Sequence, residues 1–216
     1  MPKRALVVLS GCGHLDGSEI HEAVLTLLAF DRAGATVQCA APNKPQVDVV
    51  DHLTHATTGE SRNVLTESAR IARGRVVDLA TVNEPDFDLV FLPGGYGAAK
   101  NLSNVASHGP NASVDPHLLR VLRAFRAANK PIGAVCIAPA VLVAALHEGS
   151  VTIGNDPGTA AAIVGMGGEH TVCPVTEMHV DQARKIVTAP AYMYDAGIAQ
   201  VALGIEAAVN AALELA

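Results

Sequence analysis

Four short runs in this chain are apolar at nearly every position: Ala5–Leu9, Thr36–Ala41, Asp88–Leu92 and Ile132–Val135. A strand with one wet face alternates apolar and polar residues, whereas a strand covered on both faces does not. Between the first two runs lies a helical segment, Glu19–Ala33, with Leu25, Leu28 and Ala29 among its core positions. Asp16 or Ser18 is placed to cap it, and Gly34 to stop it. Strand, helix, strand is one βαβ unit, which implies parallel strands and a right-handed crossover. The pattern recurs downstream. Pro116–Ala128 reads as a helix with Leu118, Leu119, Leu122 and Phe125 inward, and Ala140–Leu146 as a second helix just after Ile132–Val135. A strand near Val151–Ile153, a helix near Thr159–Met166, strands at Val172–Met178 and Lys185–Thr188, and a closing helix Tyr194–Leu215 complete the series. Glu60–Arg73 and Arg75–Leu79 carry weaker helix and strand patterns, and Ser103–Asp115 reads as a surface loop. The expectation is an α/β chain, one domain over residues 1–216, folded as a three-layer α/β/α sandwich around a mostly parallel sheet.

Composition narrows the function classes. Half the residues are apolar but only 3% are aromatic, so the interior is built of Ala, Val, Leu and Ile. A net charge of −6 gives no electrostatic footprint for nucleic acid or an anionic membrane. Four cysteines, Cys12, Cys39, Cys136 and Cys173, are too sparse for a disulfide framework and show no C-x-x-C spacing. Lys3-Arg4 followed by Ala5–Leu9 imitates a signal peptide, but the apolar run is short, and none elsewhere approaches a membrane span. These features predict a cytoplasmic protein in a reducing compartment, with no nucleic-acid or membrane partner.

In an open parallel sheet, ligands gather at the carboxyl ends of the strands. Loops at Ser10–Gly17, Pro93–Gly97 and Cys136 leave such ends. Cys136 lies on a strand-to-helix corner, with Pro139 in the opening turn of the helix that follows. The helix end carries roughly half a positive charge, which favours the reactive thiolate and makes the corner a sulfur version of the nucleophile elbow. The alternative is a small buried hydrophobe. Gly94 and Gly95 let the backbone come close to a substrate, and the amides of Gly95 and Ile137 form a candidate oxyanion hole. Glu19 and Glu22 stand one turn apart. Glu19 reads as a helix-dipole partner, while Glu22 is deep enough to stay protonated, give a hydrogen bond to sulfur and later carry a proton. Cys12, Gly13 and His14 on the first loop, with Glu19, are possible pocket residues, and Cys12 is a candidate resolving thiol or a structural cysteine. His21 turns away from Glu22 and reads as surface or interface. His170, Cys173 and His179 have no compact four-ligand spacing, so no metal is expected.

Several blocks carry a resemblance. Ser10-Gly-Cys-Gly13, Asp16-Gly-Ser-Glu-Ile-His-Glu22, Pro93-Gly-Gly-Tyr-Gly-Ala-Ala-Lys-Asn-Leu-Ser103, Cys136-Ile-Ala-Pro139 and Thr188-Ala-Pro-Ala-Tyr192 resemble the PfpI-type superfamily. That superfamily shares a flavodoxin-like fold with class I glutamine amidotransferases, and within it the blocks resemble ElbB-type isoprenoid-biosynthesis glyoxalases. The resemblance implies a cofactor-independent lyase. Cys136 would attack a small aldehyde such as glyoxal, Gly94, Gly95 and Ile137 would supply the oxyanion site, and Glu22 would relay the proton that leads to glycolate. It also implies a homodimer. Its alternatives are a cysteine redox sensor, or a binding or chaperone-like protein linked to isoprenoid metabolism. Ile137 stands where peptidase-like members have His, and neither Pro190–Tyr194 nor Val151–Asn155 contains one. Proteolysis and glutamine hydrolysis therefore lack their base.

Overall fold

The computed structural model describes residues 2–216. In chain order the elements are β1 (Arg4–Val8), α1 (Ile20–Arg32), β2 (Thr36–Ala41), α2 (Val64–Ile71), β3 (Val76–Asp78), β4 (Leu89–Leu92), α3 (Tyr96–Lys100), α4 (Val105–His108), α5 (Pro116–Ala127), β5 (Ile132–Val135), α6 (Ala138–Leu146), β6 (Ser150–Val151), α7 (Pro157–Gly165), β7 (Glu169–His170), β8 (His179–Asp181), β9 (Ile186–Ala189) and α8 (Ile198–Glu214). The main sheet has the order β3-β2-β1-β4-β5-β9-β8. Its pairs are parallel except the last, where β8 runs antiparallel to β9.

The pleat explains why these strands are apolar throughout. Successive side chains point to opposite faces. On β1 and the residue after it, Ala5, Val7 and Leu9 pack with Phe30 of α1 and Val201 and Ile205 of α8. Leu6 and Val8 pack on the other side with Leu118, Leu122 and Phe125 of α5 and Val141 of α6. Each face thus has its own helical cover, and each fully buried Leu or Phe contributes roughly 1.5–3 kcal/mol relative to exposure. The expected three-layer, mostly parallel α/β sandwich is the observed architecture.

The differences have local causes. Helix α1 is capped by Glu19, whose carboxylate accepts from the Glu22 N–H at 2.6 Å. Asp16 and Ser18 are engaged elsewhere, accepting from the amides of Val50 and Ser10. Leu28 is 39% exposed, because the buried face of α1 runs through Ala23, Thr26, Ala29 and Phe30. Val172–Met178 is irregular rather than a strand: Pro174 has no N–H to give a ladder, and the Cys173 carbonyl accepts from the Tyr194 hydroxyl. The strand predicted near Val151 pairs with β7, outside the main sheet. The closing helix begins at Ile198, behind a 3₁₀ turn at Ala191–Met193. Ser103–Asp115 is partly ordered, holding α4 and a bridge between Ser103 and Val114. No helix among the described residues is long and apolar enough to cross a membrane.

Candidate functional site

The sheet order sets β1, β4, β5 and β9 side by side, so the loops after them meet at one rim. Strand β5 ends at Val135 and α6 begins at Ala138, and between them Cys136 turns the chain with φ +62°. That left-handed conformation costs a non-glycine residue roughly 1–3 kcal/mol. It is held by the Cys136 N–H, which donates to the Ala189 carbonyl of β9 at 3.0 Å. The turn lifts the side chain to the rim, where it remains 7% exposed.

Around the sulfur the groups converge from separate strands. The amides of Gly95, after β4, and Ile137, at the head of α6, both donate to the Cys136 Sγ. Glu22 is fully buried and is the sulfur's side-chain hydrogen-bond partner. Its Oε2 accepts from the Gly94 N–H at 2.9 Å and its Oε1 from the Tyr192 N–H at 3.2 Å. Gly94 is required here. A Cβ at that position would stand 2.4 Å from the Cys136 Cβ and 2.7 Å from the Glu22 Oε2. Gly94 therefore orients Glu22, while Gly95 and Ile137 face the sulfur.

Charge at this centre is set by burial. The Glu22 carboxyl is pushed up to about 8, first by desolvation and then by the Glu19 charge, against the pull of the Cys136 thiol and the two amides. At neutral pH it holds its proton. The Cys136 thiol is pushed well above its usual range, again by desolvation first and by Glu22 second, with the Gly95 and Ile137 amides opposing. This corrects the expectation of an ionised sulfur: the favourable helix end and amides are outweighed by burial. The resting pair is a thiol beside a neutral carboxyl.

A cavity of about 830 Å³ opens from Cys136, and its walls include Glu19, His21, Tyr96, Ile137, Asp156 and Tyr192. His14 also lines it, with its ring edge-on to His52 at 4.9 Å; burial and that neighbour push its pKa down, leaving it neutral at pH 7. Cys12 and Gly13 do not line it. Cys12 faces Glu67 and Arg70 of α2, and Gly13 sits under the His52 ring, tying its N–H to the Ser18 carbonyl. The resolving-thiol expectation for Cys12 is thus not supported by its surroundings. His21, expected at the surface or an interface, is exposed and also borders the cavity, its Nδ1 2.9 Å from the Tyr192 hydroxyl. Tyr192 and Asp156 were missed. The available signal for Tyr192 was that Thr188-Ala-Pro-Ala-Tyr192 leaves the carboxyl end of a strand. Among the described residues, no group of three or more His, Cys, Asp or Glu is gathered to hold a metal.

The comparison with known families settles the lineage: residues 3–189 match the DJ-1/PfpI family. The chain belongs to that family. Glu22, Gly94, Gly95, Cys136 and Ile137 all fall inside the matched span, and Tyr192 just beyond it. Among DJ-1/PfpI relatives, the human glutamine amidotransferase-like class 1 domain-containing protein 3, mitochondrial, is 47% identical, the match covering 98% of this chain and 83% of the relative. The rat ES1 protein homolog, mitochondrial, is 45% identical over 98% and 84%. The crystal structure of an isoprenoid biosynthesis protein with amidotransferase-like domain from Ehrlichia chaffeensis superposes with a TM-score of 0.92 at 44% identity, covering 98% of this chain and 99% of that one.

Proposed function

We propose that this DJ-1/PfpI protein is an ElbB-type, cofactor-independent glyoxalase, converting glyoxal or a similar 2-oxoaldehyde to the 2-hydroxy acid. The observation that supports it is a proton-bearing carboxyl hydrogen-bonded to a thiol where two backbone amides also point. The Cys136 S–H adds across the aldehyde C=O. The sulfur–carbon bond forms, and the thiol proton reaches the oxygen through the Glu22 carboxyl, which gives one proton and takes another. The Gly95 and Ile137 amides stabilise the oxygen as it gains charge. Glu22 then moves a proton from the former aldehyde carbon to its neighbour through an enediol, so one carbon is oxidised and the other reduced with no outside electron carrier. Water cleaves the resulting thioester, and the thiol recovers its proton. Glyoxal plus water gives glycolic acid, which ionises to glycolate and a proton, so no atom is left over.

A redox-sensing role for Cys136 uses the same sulfur but is less well supported, because sensor thiols are exposed and readily ionised whereas this one is buried and protonated. The four cysteines are unpaired, which fits a reducing compartment such as the cytoplasm. A second copy of this chain is the proposed partner, and Ile20, Val24 and Leu28, exposed at i, i+4 and i+8 on α1, supply apolar surface for it; sedimentation at the monomer mass would remove that partner. The deciding experiment for the activity is glycolate production from glyoxal. Cys136→Ala should fall to the uncatalysed rate, and equal rates for the two proteins would end the proposal.

A further inference from the structure

The cavity is far larger than glyoxal needs. Glyoxal has the bulk of a few water molecules, each of which takes roughly 30 Å³ in the liquid, and about 830 Å³ is available. Beyond the thiol, much of the wall is apolar: Ala99, Val105, Ala106, Ile137, Ala162 and Met193. The charged side chains on the wall are of one sign. Glu19 and Asp156 both line the cavity, and among the described residues no Lys or Arg does.

Among the described residues, neither carboxylate pairs with a Lys or Arg. Glu19 caps α1 through the Glu22 N–H, and Asp156 caps α7 through the Thr159 N–H at 2.7 Å. Hydrogen bonds from Thr159 hold the Asp156 carboxyl below the usual range, so it stays anionic at working pH. Lys100 follows wall residue Ala99 in sequence, but its Nζ is taken by the Asp48 Oδ2 at 2.7 Å and the Leu15 carbonyl. An incoming anion would meet two negative groups and, among the described wall residues, no Lys or Arg.

Resting on the glyoxalase reading, we infer that the substrate is an uncharged 2-oxoaldehyde extended by an apolar group, and that the site rejects 2-oxoaldehydes carrying a carboxylate or phosphate. The same charges act on the product. Every 2-oxoaldehyde becomes a carboxylate when it is converted to a 2-hydroxy acid, so Glu19 and Asp156 expel what the reaction makes.

The test compares glyoxal, phenylglyoxal and 4-carboxyphenylglyoxal, the last two differing only in one charged group. Phenylglyoxal should have the highest kcat/KM, at least tenfold above its carboxylated analogue. Asp156→Asn keeps a competent helix cap and should narrow that gap severalfold. Glyoxal outperforming phenylglyoxal, or equal efficiency for the charged and uncharged aldehydes, would overturn the inference, as would a gap that Asp156→Asn leaves intact. A binding arm separates this from the reaction itself. Calorimetry on Cys136→Ala with 2-hydroxyacetophenone and its 4-carboxy derivative should again favour the uncharged ligand about tenfold. If that preference holds while no aldehyde is turned over, the cavity inference stands and the glyoxalase reading falls. Turnover with no charge preference gives the reverse.

Discussion

Two corners of this molecule place a cysteine beside a glutamate, and they behave oppositely. At the rim of β5, Cys136 meets Glu22, which is completely buried and has no cation against it among the described residues. After β1, Cys12 lies near Glu67, whose carboxylate is paired with the Arg70 Nε at 2.9 Å and the Arg62 Nη1 at 3.7 Å. A carboxylate with guanidinium partners stays charged. A carboxyl taken from water without one keeps its proton, and Glu22 is pushed up to about 8. The difference lies in the missing counter-ion, which leaves one glutamate holding its proton and the other in an ion pair.

The largest expected contrast is in turnover. Cys136→Ala should abolish glyoxal conversion, while Cys12→Ala, which touches no part of the cavity, should stay within about twofold of the parent protein; comparable losses in both would erase the distinction between the corners. Next come the glutamates. Glu22→Gln should lower kcat roughly 10²–10⁴-fold, the usual worth of a positioned acid–base group. Glu67→Gln should leave kcat within a few-fold. Steady-state assays on the pair give the comparison directly.

The smallest contrast is in stability. An unfolded Glu22 titrates near 4.5 and the folded one near 8, so between these values the folded state binds the extra proton. Stability is therefore fully present below about pH 4.5 and is lost as pH rises towards 8, by an amount on the order of a few kcal/mol for such a gap. Denaturant melts from pH 5 to 8 should show this decline in the parent protein and a flatter profile in Glu22→Gln. The Glu67→Gln variant should decline like the parent.

The sequence made one of these corners legible and left much of the cavity dark. Residue patterns report burial well: the apolar strands, the Cys136 corner and the depth of Glu22 all follow from which positions can face water. Partners brought in by the fold are another matter. Tyr192 reaches Glu22 across 170 positions and Asp156 arrives on α7 from beyond the elbow, so no local pattern links either to Cys136. His21 is exposed as its register implies, but register does not say that the cavity mouth lies on that side. Leu28 was misread for a related reason, since an apolar residue on a helix need not lie on the face that packs. The ionisation of the sulfur turns on magnitude: the helix end that favours a thiolate is outweighed by the depth of burial.

Carbon NMR of glutamate labelled at the side-chain carboxyl reads the charge of Glu22, which should be zero at neutral pH. The Glu22 resonance, assigned by its loss in Glu22→Gln, should stay at the protonated position through pH 7 and move only near pH 8. A Glu22 signal already at the carboxylate position by pH 6 would contradict the account.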